Sequence, residues 1–119
     1  MKVIRILIVL GAMASLLAAQ TPAAQNAPAG NVENGKKIFS SYGCYQCHGY
    51  VGQGGGAGAR LSPVPLNWPN FTKYVRHPSG QMPPYTAKVV TDQELADIYA
   101  YLQSIPKPPD VKSIPILNN

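Results

Sequence analysis

The sequence predicts an all-α domain of three to four short helices wrapped around a single prosthetic group, with long irregular loops between them. Three observations carry this. Apolar residues recur at helical spacing in separate stretches of the chain, and no βαβ pattern is present. The third is Cys44-Tyr45-Gln46-Cys47-His48: two thiols two residues apart, with an imidazole directly after the second. Covalent haem attachment requires this arrangement, since each thiol adds to one vinyl group and the histidine reaches the iron. A zinc site, a redox dithiol and a disulfide are the other readings of paired cysteines. A closed zinc site wants four ligands, and beyond Cys44, Cys47 and His48 only the distant His77 is on offer. A thioredoxin-like dithiol would sit beside a βαβ pattern.

At 119 residues the chain is one domain with little core to spare, and a buried haem would add apolar area that the polypeptide lacks. Residues 1–19 stand apart from it. Lys2 and Arg5 precede an apolar run from Ile6 to Ala19, a basic segment followed by a hydrophobic one too short to span a bilayer comfortably. It reads as an export signal or, if uncleaved, an anchor, and places the domain in the periplasm or otherwise exported, with membrane association open. Without that segment, eight Lys and Arg remain against five Asp and Glu, a net +3 that two haem propionates would largely offset. A modest basic face of this size could steer an acidic redox partner or be an ordinary solvated surface; nothing in it points to nucleic acid.

Residues 20–31, rich in Ala, Pro, Gln and Asn, form a flexible linker. The domain runs over 32–105. Gly35, Ile38, Phe39 and Tyr42 lie at i, i+3, i+4 and i+7 of a first helix, which Gly43 stops just before the cysteines. Glycine inside a helix costs about 1 kcal/mol against alanine, so Gly35 on the packed face implies that another backbone passes very close. The Gly-rich stretch after His48 lets the backbone turn tightly against the haem. Arg60 to Asn70, punctuated by prolines and carrying Trp68, reads as irregular chain. Phe71, Tyr74 and Val75 mark a short helix from about Asn70 to Arg76, ended before Pro78. Residues 79–85 are a loop by composition. Thr91-Asp92-Gln93-Glu94 is a capping box, followed by Leu95, Ile98, Tyr99 and Leu102, the strongest helical period in the chain, which Pro106 terminates. The tail, 106–119, is Pro-rich and expected to be extended.

The other face of the haem needs a ligand or an open site. Met82 is the one methionine outside the export segment, held in a proline-stiffened loop between two helices. Thioether sulfur favours the ferrous state, and a His48/Met82 pair would leave no site for oxygen or peroxide. His77 is the rival, pinned by Pro78. Lys73 or Lys88 would first have to lose a proton. Tyr85, Tyr74, Trp68 and Arg60 are candidates for hydrogen bonds to the methionine sulfur or the propionates.

With these features in place, the chain resembles the small class I cytochromes c across nearly all of Val32 to Ile105. The resemblance rests on the helix before Cys44-x-x-Cys47-His48-Gly49, the loop with Met82-Pro83-Pro84-Tyr85, and the terminal helix from Asp92 to Leu102. It implies the cytochrome c fold, one haem c attached through Cys44 and Cys47, and electron transfer rather than bond-making chemistry. It also implies first and last helices that cross at close range through a glycine and aromatic contacts, for which Gly35, Phe39 and Tyr99 are suitably placed. One departure stands out. The family usually has Gly-Pro-x-Leu after the haem motif, the proline carbonyl accepting from the ligand histidine; here Gly58-Ala59-Arg60-Leu61 has alanine. Ala59 keeps the carbonyl but not the rigid ring.

The expected function is that of a periplasmic monohaem electron carrier serving redox partner proteins. The alternatives are a haem subunit of a larger membrane-associated dehydrogenase or oxidase complex, and an enzyme or gas sensor in which Met82 is displaced.

Overall fold

In the computed structural model, residues 27–117 are described; the expected export segment and the first residues of the linker lie outside them. Four helices follow one another: α1 (Val32–Ser41), α2 (Cys44–His48), α3 (Trp68–Arg76) and α4 (Asp92–Ser104). Two single 3₁₀ turns, Val111–Ser113 and Pro115–Leu117, follow in the tail. No strand occurs among the described residues, only an isolated bridge between Gly55 and Gly58, so the all-α prediction holds.

Three of the four helices, α1, α3 and α4, begin where a side chain satisfies free N–H groups. Asn31 accepts from Asn34 N–H at the start of α1, and Asn67 accepts from Asn70 N–H at the start of α3. At α4 the capping box is complete: Thr91 Oγ1 accepts from Glu94 N–H (3.2 Å), while Glu94 Oε2 accepts from Thr91 N–H (2.8 Å). Gly43, in the left-handed region at φ 76°, separates α1 from α2.

The core lies where α1 crosses α4. Ile38 and Phe39 pack with Leu95, Ile98, Tyr101 and Leu102, and Phe71 and Val90 extend the cluster toward α3. Gly35 sits at the crossing as expected: a Cβ there would collide with the Asp97 carbonyl and the backbone around it. The aromatic contact differs from the expectation. Phe39 meets Tyr101, with ring centroids 5.7 Å apart, whereas Tyr99 turns toward α3 and packs on Phe71 (5.0 Å) and Trp68 (5.4 Å). Residues two apart on a helix point about 200° from each other, so the two tyrosines serve opposite sides of α4.

Three further local differences have physical causes. Trp68 belongs to α3 rather than to irregular chain, because Asn67 caps the helix and Pro69 falls within its first turn, where a missing N–H costs nothing. The end of the expected linker is fastened to α4: Gln93 Nε2 donates to Ala29 O (2.9 Å), and a Cβ on Gly30 would strike Ala96 O. The tail is not uniformly extended, since Asp110 accepts from Lys112 N–H and closes the first 3₁₀ turn. Among the described residues no helix is long and apolar enough to cross a membrane.

Buried Asp97 ties these parts together. Its carboxylate accepts from Asn31 N–H (2.7 Å), Asn34 Nδ2 (2.7 Å) and Gln93 Nε2 (3.0 Å). Burial by itself would raise this carboxyl, but the three hydrogen bonds outweigh it and hold it below its ordinary value.

Candidate functional site

The inner faces of α1, α3 and α4 do not close on one another. They leave a cavity of about 430 Å³, walled by Phe39, Phe71, Val75, Val90, Leu95, Ile98 and Leu102. An apolar cavity of this size beside the core of a short chain suits a large flat hydrophobic group. Cys44, Cys47 and His48 line this cavity, and so does Met82.

Backbone geometry explains how the motif is presented. After His48 the chain reverses through Gly54, Gly55 and Gly56, all at positive φ, and returns so that Gly58 N–H donates to Cys47 O (2.9 Å). Any side chain at 58 would collide, because its Cβ would lie 2.6 Å from both Cys47 O and His48 Nδ1. The next residue makes the contact that matters for chemistry. His48 Nδ1 stands 2.7 Å from the Ala59 carbonyl oxygen. A carbonyl can only accept, so Nδ1 carries the proton and Nε2 presents its lone pair for a metal. The alanine in place of proline therefore keeps the bond.

The cysteines fit thioethers better than a metal-thiolate site. Burial raises the Cys44 thiol to about 11, an apolar setting that suits an uncharged thioether. Among the described residues no group of three or more His, Cys, Asp and Glu side chains comes together to hold a metal ion. An iron carried within a covalently held ring needs from this chain only the histidine and a sixth donor, and that is what the cavity offers.

The remaining sequence candidates divide. Arg60 lines the cavity from an exposed position and has no hydrogen-bond partner among the described residues, which leaves its guanidinium available for a carboxylate. Tyr74 and Tyr85 also line it, but their hydroxyls are engaged: Tyr74 donates to Ser79 O (3.2 Å) and Tyr85 to Tyr42 O (3.1 Å). Burial raises the Tyr85 phenol, so it remains a donor. Trp68 is not among the lining residues; its ring is spent on Phe71 and Tyr99. Sequence reasoning missed Arg76, whose guanidinium binds the loop that carries Met82. Two of its three acceptors are backbone carbonyls, which leave no trace in residue identity.

Comparison with curated proteins gave no match, and neither did comparison with solved structures. Residues 30–102 match the family described as Cytochrome C oxidase, cbb3-type, subunit III. The matched span takes in the helix crossing, the cysteine motif, the Met82 loop and nearly all of α4. The chain therefore belongs to this family, as a c-type cytochrome domain that carries covalent haem c through Cys44 and Cys47 and acts by haem-based electron transfer.

Proposed function

We propose that this protein is an exported monohaem electron carrier of the periplasm, with His48 and Met82 as the two axial ligands and a membrane-bound oxidase as its partner. The observation that carries this reading is the gathering of Cys44, Cys47, His48 and Met82 on one apolar cavity. When bound, haem supplies one-electron chemistry between ferric and ferrous iron. The polypeptide does the rest. Cys44 and Cys47 tether the group, and the Ala59 carbonyl orients His48 and raises its basicity. Met82 would supply the second donor to the iron, and the apolar walls of α1, α3 and α4 would exclude water and limit reorganisation. Arg60 would offset a propionate.

A potentiometric titration of the exported holoprotein should give one reversible one-electron wave, and Met82→Ala should move it to lower potential, because sulfur favours the ferrous state. A potential indifferent to that substitution would remove Met82 from the iron.

A second reading, a permanent subunit of the oxidase, is favoured by the family description and by the tail, where Ile116 (79 %) and Leu117 (59 %) are exposed. Deleting residues 106–119 should then release the protein from solubilised oxidase while leaving its spectrum unchanged. Retention at full stoichiometry would argue against a docking role for the tail.

A further inference from the structure

Met82 lies in the loop 77–91, which leaves the end of α3 and returns to the start of α4. Its two halves are held very differently. On the side before Met82, Ser79, Gly80 and Gln81 are exposed, Gly80 has φ 81°, and Tyr74 supplies hydrogen bonds only to Ser79. On the side after it, Arg76 acts as a three-way clamp. Nη1 donates to Tyr85 O (2.7 Å) and to Val90 O (2.6 Å), and Nη2 donates to the Asp92 carboxylate (2.6 Å). One guanidinium thus joins the last residue of α3 to the middle of the loop, to its end and to the first residue of α4. Tyr85 is fixed twice more, by its N–H to Val75 O (3.1 Å) and its hydroxyl to Tyr42 O (3.1 Å).

Between that anchor and the sulfur stand only Pro83 and Pro84, whose rings fix φ. Holding Tyr85 therefore restricts where Met82 can go. The three bonds are not equal. The Asp92 side chain is 84 % exposed, so its ion pair with Arg76 is screened and contributes little. The two carbonyl bonds come from an Arg76 side chain only 15 % exposed, and charge-assisted bonds of that kind are the strong ones.

We infer that Arg76 is a positioning residue for the sixth iron ligand: its grip on the Tyr85 and Val90 carbonyls keeps the Met82 loop closed over the cavity. This rests on the reading that Met82 ligates the iron. The order of importance follows from the bonds. Arg76→Ala removes all three, Arg76→Lys keeps the charge but not the fork, and Asp92→Asn removes only the screened pair.

The test is carbon monoxide binding to the ferrous holoprotein by stopped flow, with Met82→Ala as the open-site reference. Arg76→Ala should bind about tenfold faster than the wild type or more, as expected for losing two charge-assisted bonds. Arg76→Lys should fall between, and Asp92→Asn should stay near the wild type. Hydrogen exchange supplies a readout that general destabilisation would not give. In Arg76→Ala the Tyr85, Val89 and Val90 amides should exchange faster, while those within α1 keep their protection. Wild-type binding rates in both Arg76 variants overturn the inference, and if Arg76→Ala does not accumulate, Arg76→Lys decides it. A wild type as fast as Met82→Ala sinks the ligation reading and the clamp together, whereas a slow wild type with indifferent Arg76 variants sinks the clamp alone.

Discussion

Single atoms decide the chemistry of this site. The proton on His48 Nδ1 is fixed by the Ala59 carbonyl, and the close approach that permits this bond depends on Gly58 having no side chain. Gly58→Ala should therefore disturb the imidazole more than the fold; the haem-to-protein ratio of the exported variant should drop while its helical circular dichroism persists. Asp97 makes an independent prediction. Its carboxyl is held low in the folded chain, so the unfolded chain takes up the proton first as pH falls. The stability it contributes is present above the ordinary carboxylate range, about pH 4, and is lost as pH drops through the lower folded value. Thermal melts in acid should show Asp97→Asn losing less stability on acidification than the wild type, though starting lower. Of these atoms, His48 and the importance of a carbonyl at Ala59 were legible in the sequence, through the cysteine motif and the departure from Gly-Pro-x-Leu. Asp97 was not, because nothing in its identity separates a buried acceptor of three bonds from a solvated charge.

At the scale of elements, legibility follows the kind of signal that each one carries. The capping box at Thr91 and the apolar period behind it fix α4 from local chemistry alone, and Gly35 on the packed face of α1 correctly announces a close backbone. The structure places that backbone at Asp97. Replacing Gly35 by Ala should push α1 from α4 and cost about 1–3 kcal/mol, as overpacking does; urea midpoints of wild type and variant measure it. The elements whose partners lie far along the chain were read less well. The resemblance implies an aromatic contact at the crossing for which Phe39 and Tyr99 are suitably placed, but rotation about α4 gives Phe39 Tyr101 instead. The start of α3 was placed two residues late because Trp68 sits among prolines, although Asn67 ahead of Pro69 is a cap signal. The Arg76 clamp was invisible for a deeper reason, since two of its three acceptors are backbone carbonyls nine and fourteen residues away.

At the scale of the molecule, the described residues form a helical shell around an apolar cavity, and its logic depends on what that cavity holds. Phe39, Phe71, Leu95, Ile98 and Leu102 belong both to the core and to the cavity wall, so fold and cofactor site are built together, and the family match over residues 30–102 takes in nearly all of this construction. The central claim is that this cavity would hold a haem whose iron His48 and Met82 ligate. The absorption spectrum of the purified protein at neutral pH, oxidised and then reduced, tests it most directly when Met82→Ala is recorded alongside. A low-spin c-type spectrum with the weak far-red sulfur-to-iron band, lost in the variant, is the predicted result. A high-spin spectrum, or a far-red band that survives removal of Met82, would contradict it.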